Sequence, residues 1–230
     1  MRGSSRGAVI WLHGLGDSGN GWRFLERQVQ AALRGKQVVW TFPTAPTVPV
    51  TCNGGMEMNS WCDLCTIPVA PGQREDPAGL SRSVETVHDL INTRVADGTS
   101  PDNIVVGGFS QGGAIALLAA YTYEAPLGGC VVFSGFVQQR EQILSHLAKG
   151  EVNRTPALVV HGTRDDVVLS SCGGQVHQLL ESAGVQVTAV TFGMGHEAHP
   201  DQFVLLGQFL TGIMPEQEAR EEVEGGPAVR

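Results

Sequence analysis

Several features that mark other classes of protein are missing from this chain of 230 residues. It contains no run or stripe of Lys and Arg, and its formal net charge is −8, so we predict that nucleic acid is not a partner. An anionic membrane would repel such a surface on average, so we expect no more than transient contact with a membrane surface. No apolar stretch approaches the ~20 residues that a membrane-spanning helix requires.

Cysteine supplies neither a disulfide framework nor a metal site. The five cysteines are an odd number and no secretory signal precedes them, so we expect a reducing, cytoplasmic environment. Cys62 and Cys65 form a C-x-x-C pair, but no second pair of Cys or His ligands lies at zinc-site spacing. The chain also has no G-K-[S/T] phosphate-binding loop. We therefore predict a protein that needs no metal or other cofactor.

The chain has enough apolar sequence for one large buried core. Hydrophobic residues make up 42% of it, and its length suits a single domain of ordinary size. The last residues, by contrast, are polar and acidic. We therefore predict one domain over residues 1–214, followed by a flexible acidic tail over residues 215–230.

Short, Val-rich apolar segments alternate with amphipathic ones along most of the chain. The predicted strands cover residues 8–14, 37–43, 103–109, 128–135, 155–162 and 186–192. The predicted helices cover residues 18–34, a stretch with Leu80, Val84, Val87 and Ile91 on one face, and residues 110–123, 172–183 and 200–213. Because the strands are continuously apolar, this order predicts a mostly parallel sheet with helices on both faces. Residues 44–79 show little periodicity and are predicted to form a long functional loop.

One stretch at a predicted strand-to-helix junction indicates nucleophilic catalysis. The sequence GFSQG, residues 108–112, places Ser110 between glycines, directly after an apolar strand and before a helix. The glycines would permit a sharp turn that lifts the serine hydroxyl out of the sheet. The alternative is an ordinary helix-capping serine. A second match, GSSRG at residues 3–7, has no strand before it and is expected to be chance.

A serine nucleophile needs a base and an acid, and the α/β-hydrolase arrangement orders the three as Ser, then Asp or Glu, then His. After a later strand the sequence offers Asp165 and Asp166, and spacing does not choose between them. Farther on, His196 and His199 precede the last helix. His196 follows a glycine-flexed loop that suits an imidazole reaching towards Ser110, whereas His199 lies at the start of the helix. His196 is therefore the favoured base.

The negatively charged oxygen that forms during acyl transfer needs two fixed N–H donors. One donor is expected to be the backbone amide of Gln111, the residue after the serine. The other should come from the loop HGLGDSG, residues 13–19, in which Leu15 is the natural donor. The alternative for this loop is a plain strand-to-helix turn, in which Ser18 caps the next helix.

Six motifs together resemble those of the acyl-protein thioesterase family, also described as the lysophospholipase/carboxylesterase group of α/β-hydrolases. They are, in chain order, IWLHGLGDSGNGW, FPTAPTVPVT, MNSWCD, GGFSQGGAIAL, HGTRDDVV and GMGHE. The resemblance extends from about residue 8 to residue 213, which is nearly all of the predicted domain. It implies an α/β-hydrolase fold and a Ser-His-Asp catalytic triad.

The resemblance also implies roles for particular residues. It favours Asp165 over Asp166 as the acid and His196 as the base. It places the two oxyanion amides at Leu15 and Gln111.

The segment from PVT to MNSWCD resembles a loop that helps to form an acyl-chain channel beside the active site of the family. From this loop we expect Trp61, Met56 and Met58 to contact the substrate. The family resemblance implies a serine hydrolase that cleaves thioesters of S-palmitoylated proteins and esters of lysophospholipids. Its partners would be an S-acylated protein or a lipid ester, and we expect a monomer or weak dimer. Two alternatives stay open: a general short-chain carboxylesterase, and a non-catalytic receptor with a hydrolase fold.

Overall fold

The structure, a computed structural model, describes residues 6–216, without the side chain of Asn153. The predicted acidic tail therefore lies almost entirely outside the described residues, as does most of the GSSRG match near the N-terminus. None of the helices within residues 6–216 combines the length and the apolar character needed to cross a membrane.

A six-stranded sheet forms the centre of the fold. Its strands are β1 (Gly7–Leu12), β2 (Val38–Thr41), β5 (Ile104–Phe109), β6 (Gly129–Phe133), β7 (Ala157–Gly162) and β8 (Val187–Phe192). They follow the spatial order β2-β1-β5-β6-β7-β8, and every neighbouring pair is parallel. The predicted parallel sheet is therefore confirmed, with strand positions close to those expected from the apolar segments.

Within residues 6–216, six α-helices cover the two faces of this sheet. They are α1 (Phe24–Val29), α2 (Pro77–Ala96), α3 (Gln111–Thr122), α4 (Arg140–Leu147), α5 (Ser170–Ser182) and α6 (Pro200–Ile213). Side chains alternate between the faces along each strand. In β1, Ile10 and Leu12 belong to the core shared with α2, α3, α4 and α5, whereas Val9 and Trp11 belong to the core shared with α1 and α6. The sheet therefore has helices on both faces, as predicted.

The long segment 44–79 contains a hairpin that the sequence did not predict. Strands β3 (Thr47–Val50) and β4 (Met56–Asn59) pair antiparallel, with Val50 opposite Met56. Each strand has only four residues, and most of them are at least partly exposed. The alternation of apolar and polar residues that marks a strand is therefore too short to detect in the sequence. The Asn59 carbonyl accepts a hydrogen bond from the Gly16 amide at 2.8 Å, which joins the hairpin to the loop after β1.

Two other elements differ from the sequence prediction. The helix predicted over residues 18–34 is a 3-10 turn, Gly19–Trp22, followed by the short α1, and the Ser18 side chain does not cap it. This turn lies close to the residue after β2, since a Cβ on Gly19 would be 2.0 Å from the Phe42 carbonyl oxygen. Helix α4 was missed because only Ile143 and Leu147 of its eight residues are buried.

Candidate active site

Ser110 lies in the sharp turn between β5 and α3. Its backbone has φ 56° and ψ −123°, in a region that non-glycine residues rarely adopt. A Cβ on Gly108 would lie 2.5 Å from the Gly112 backbone, and one on Gly112 would lie 2.3 Å from the Leu12 carbonyl oxygen. Strand and helix can therefore approach this closely only because both flanking residues are glycines. The Ser110 amide donates to the Phe133 carbonyl at 2.8 Å, which fixes the turn.

Ser110, His196 and Asp165 form a continuous hydrogen-bonded chain. The Ser110 Oγ lies 2.9 Å from His196 Nε2, and His196 Nδ1 lies 2.8 Å from Asp165 Oδ2. Because a carboxylate can only accept, Nδ1 carries the imidazole proton and Nε2 is left to accept the serine proton. The three residues are 31 and 86 positions apart along the chain, yet the structure brings all of them together.

The loops after β7 and β8 are joined to each other, and this sets the distance between acid and base. Gly162 at the end of β7 packs so tightly that a Cβ would lie 2.4 Å from the Met194 carbonyl oxygen. The Arg164 amide donates to the same Met194 carbonyl at 3.0 Å, and the Arg164 guanidinium donates to the Gly193 carbonyl. These contacts hold the two loops as one unit.

Asp165 is buried and ionised. Burial by itself would raise the pKa of its carboxyl, but the hydrogen bonds from His196 and from the Val168 and Val167 amides outweigh that effect and hold it below the ordinary value. Those two amides bond to Oδ1 at 2.8 and 3.0 Å, which leaves Oδ2 for His196. Neighbouring Asp166 is exposed.

His199 has a different role from His196. It lies directly before α6, where its Nδ1 accepts a hydrogen bond from the Asp201 amide at 3.2 Å. Its ring stacks on Phe192 with a centroid separation of 5.5 Å. The imidazole therefore caps the helix and does not bond to Ser110.

The backbone N–H groups of Leu15 and Gln111 are both free to donate a hydrogen bond. Within residues 6–216 neither N–H donates a hydrogen bond, and both residues line the same cavity as Ser110. Gly14 lies against the serine, because a Cβ on it would be 3.3 Å from the Ser110 Cβ. The Gly14 carbonyl accepts from His13 Nδ1 at 2.7 Å, and the planar trans peptide turns the Leu15 N–H away from that carbonyl.

A cavity of about 380 Å³ opens beside Ser110 and His196, and most of its wall is apolar. The lining comprises Gly14, Leu15, Asp17, Trp22, Asn53, Met58, Leu64, Ile67, Val69, Phe109, Ser110, Gln111, Phe136, Val167, Val168 and His196. Sequence reasoning missed most of these apolar residues. Leu64, Ile67 and Val69 could have been suspected because they are apolar side chains in a segment with no strand or helix pattern.

Of the three residues expected to contact substrate, only Met58 lines the cavity. Met56 is 65% exposed at the end of the hairpin and lies outside the lining. Trp61 is 3% exposed and packs against the His13 ring, with centroids 5.2 Å apart, also outside the lining. Trp61 therefore lies behind the site and Met56 lies at the exposed end of the hairpin, and substrate contact by either residue stays a prediction.

The structure shows neither a reactive cysteine nor a metal-binding cluster within residues 6–216. All five cysteines are free thiols, and burial raises the pKa of the Cys62 thiol to about 12, so it is not a nucleophile. No three His, Cys, Asp or Glu side chains converge in a way that could hold a metal ion within the described part of the chain.

Residues 2–213 match the family model described as phospholipase/carboxylesterase. Acyl-protein thioesterase 1 of Neurospora crassa is 36% identical over 219 residues, which are 93% of this chain and 89% of that protein. Carboxylesterase SOBER1 of Arabidopsis thaliana is 38% identical over 193 residues, which are 84% of each chain. The crystal structure of SOBER1 superposes with a TM-score of 0.83 at 34% identity, covering 90% of this chain and 99% of that one.

The motif resemblance and the predicted fold are both confirmed by these matches. The chain belongs to the phospholipase/carboxylesterase family, and it is a serine hydrolase with the α/β-hydrolase fold.

Proposed function

We propose that this protein hydrolyses thioester or ester bonds of acyl chains, with S-acylated proteins and lysophospholipids as its substrates. The observation that carries the proposal is the hydrogen-bonded chain from Ser110 through His196 to Asp165, which opens into an apolar cavity. The names of the relatives support both kinds of bond, because one is called a thioesterase and another a carboxylesterase.

In the first step, Ser110 Oγ attacks the acyl carbonyl carbon while His196 Nε2 takes the hydroxyl proton. The carbonyl oxygen becomes negatively charged, and the free amides of Leu15 and Gln111 donate to it. Asp165, which is ionised, holds the imidazole in the required tautomer and stabilises its charged form. The bond to the leaving sulfur or oxygen then breaks, and His196 gives its proton to the leaving thiolate or alkoxide.

In the second step, water replaces the leaving group. His196 takes a proton from the water, which attacks the carbonyl carbon of the acyl-serine. The same two amides stabilise the new negatively charged oxygen. The bond to Ser110 Oγ breaks, the serine regains its proton from His196, and the free acid leaves.

The apolar wall supports a preference for long acyl chains. Each buried methylene stabilises binding by about 0.8 kcal/mol, so two additional carbons give roughly a tenfold gain until the cavity is filled. A short-chain carboxylesterase is the second candidate. Asp17 and Asn53 favour it, because their polar side chains belong to the lining and shorten its purely apolar part.

The remaining expectations stay proposals. Five free thiols favour a reducing, cytoplasmic location. Within the described residues only Met56, Ile67, Val95 and Val204 are large apolar side chains with substantial exposure, which favours a monomer or weak dimer. Met56 and Ile67 belong to the segment that forms part of the cavity, and we propose that they make transient contact with a membrane surface when a lipid-linked substrate binds.

The test is a series of matched thioesters and oxyesters with acyl chains from C2 to C16. We expect kcat/KM to rise by roughly tenfold for each two carbons and then to level off. A flat profile would contradict the acyl-chain proposal, and a steady fall beyond C4 would establish the short-chain alternative.

Ser110→Ala is the decisive variant, and it should lower kcat by about 10⁴-fold or more and abolish labelling by a fluorophosphonate. Ser145→Ala, at an exposed serine of α4, is the matched control and should behave like the parent protein. Binding of the substrates without turnover by the parent would favour the receptor alternative.

A further inference from the structure

We propose that Trp61 is a positioning residue that holds both oxyanion amides in place, an inference that rests on the proposed hydrolytic function. Trp61 lies outside the cavity lining and so acts on the protein and not on the substrate. It belongs to a short buried segment, Ser60–Cys62, which makes hydrogen bonds to the elements that carry each amide.

The first set of contacts reaches Leu15. The Trp61 indole Nε1 donates to the His13 carbonyl at 2.9 Å. The His13 ring accepts from the Ala45 amide through Nε2 at 2.9 Å, so its proton is on Nδ1 and is donated to the Gly14 carbonyl. The carbonyls of two successive residues before Leu15 are therefore fixed, and with them the direction of the Leu15 N–H.

The second set of contacts reaches Gln111, whose side chain is buried. Its Oε1 accepts from the Trp61 backbone amide at 3.0 Å. Its Nε2 donates to the Cys62 carbonyl at 2.8 Å and to Ser60 Oγ at 3.0 Å. The first residue of α3 is therefore tied to the same segment whose indole holds the loop after β1.

The Ser60–Cys62 segment is itself fixed to the body of the protein. Ser83 of α2 donates its hydroxyl to the Trp61 carbonyl. The following amide, that of Asp63, donates to the Asp76 carboxylate at 3.0 Å, directly before α2. The support for the two amides thus comes from α2, an element that forms no part of the cavity lining.

Through these contacts, Trp61 fixes the position of the two amides relative to each other and so affects how well they stabilise the oxyanion. The two amides come from separate elements, the loop after β1 and the start of α3, and their relative position decides how well they stabilise the oxyanion. A displacement of about 1 Å can cost on the order of 10²-fold in rate. Removal of the indole N–H leaves the buried His13 carbonyl without its donor, so the loop can shift relative to α3.

The first test is Trp61→Phe, which keeps an aromatic ring and removes the indole N–H. On a short-chain ester we expect kcat to fall by about tenfold to a hundredfold, with KM within about twofold of the parent value. A trifluoromethyl ketone forms a tetrahedral oxyanion adduct with the serine, so its inhibition constant should rise by the same factor as kcat falls. The affinity for the free acid product should stay unchanged.

Trp11→Phe is the matched control. Trp11 is also fully buried, but its indole nitrogen has no hydrogen-bond partner within the described residues. Both substitutions should lower Tm, and only Trp61→Phe should change kcat and the ketone affinity. A second variant, Gln111→Glu, replaces the donor to the Cys62 carbonyl with an oxygen and should give the same joint loss of kcat and ketone affinity.

If Trp61→Phe keeps the parent kcat and ketone affinity, the inference is overturned. The proposed function still stands in that case, provided that Ser110→Ala loses activity. An equal loss of kcat in Trp11→Phe would also overturn it, since the effect would then be a general one of a smaller core side chain. Retained turnover in Ser110→Ala would overturn the proposed function and this inference with it.

Discussion

Asp165 and Asp166 are adjacent and chemically identical, yet they occupy opposite environments. The Asp165 side chain has no exposed surface and makes hydrogen bonds with both oxygens, whereas Asp166 is exposed. The sequence alone could not choose between them, because the choice depends on the direction of a loop after β7. The family resemblance did choose Asp165, and the structure places that residue against His196.

Asp165→Asn should lower kcat by about 10³–10⁴-fold. The new carboxamide oxygen can still accept from the Val167 and Val168 amides, which leaves its NH₂ facing His196 Nδ1. That contact forces the imidazole proton onto Nε2, so the ring can no longer accept the serine proton. Asp166→Asn is the matched control, and steady-state kinetics should show a change of less than about twofold. Equal effects of the two substitutions would contradict the assignment.

Trp61 shows what the sequence could not reveal about a single side chain. An aromatic side chain in a loop next to an expected acyl channel suggested contact with substrate. Its indole instead donates to a carbonyl behind the site, and only coordinates reveal which side of the loop is buried. The triad could be predicted because each member has few chemical alternatives, whereas the channel wall uses interchangeable apolar residues.

The turn between β5 and α3 is the element on which the site depends most directly. Gly112→Ala places a Cβ within 2.3 Å of the Leu12 backbone, which must displace α3 and the Gln111 amide. We expect a loss of about 1–3 kcal/mol in the free energy of unfolding and a fall in kcat of more than about tenfold.

Gly174→Ala provides the control for that substitution. Gly174 lies on the exposed side of α5, and a Cβ there would have no heavy atom within 4 Å. Alanine should raise the free energy of unfolding by up to about 1 kcal/mol, because glycine is the poorer helix former, and should leave kcat unchanged. Urea denaturation and steady-state kinetics measure both effects. A Gly112→Ala variant as stable and active as Gly174→Ala would contradict the packing argument.

At the level of strands and helices, the parallel sheet was predictable because its strands are continuous apolar runs. The β3–β4 hairpin was not, since its four-residue strands include Pro49 and bury little surface. The helix expected over residues 18–34 is instead a 3-10 turn and the short α1, and Gly19 of the turn packs closely against the Phe42 carbonyl. Long-range packing of this kind leaves no periodic signal in the sequence.

At the scale of the whole molecule, two histidines within residues 6–216, His13 and His161, are buried in the fold. Burial lowers the pKa of His13 and of His161, and in each case it outweighs hydrogen bonding and a nearby aspartate, which act in the opposite direction. Between the lowered folded-state pKa and the unfolded value of about 6.5, the unfolded chain binds more protons. The stability that these histidines contribute is therefore complete above about pH 6.5 and is lost as the pH falls below it.

The free energy of unfolding should consequently decrease from pH 7.5 to 5.5, with a slope of up to about 1.4 kcal/mol per pH unit for each histidine. Urea denaturation across this range measures the slope. His13→Gln cannot titrate and should make the slope shallower. His177→Gln, at a half-exposed position beside Glu181, is the control that should keep most of it. An unchanged slope in His13→Gln would contradict the assignment.

The order of the strands along the chain has a consequence for biosynthesis. Ser110 leaves the ribosome 86 residues before His196, and the strand that precedes His196, β8, lies at one edge of the sheet. Until that last strand docks, the serine is an ordinary alcohol with no proton acceptor beside it. A nascent polypeptide whose β8 has not yet docked therefore lacks the Ser110–His196 pair, and hydrolysis can begin only after this late strand joins the sheet.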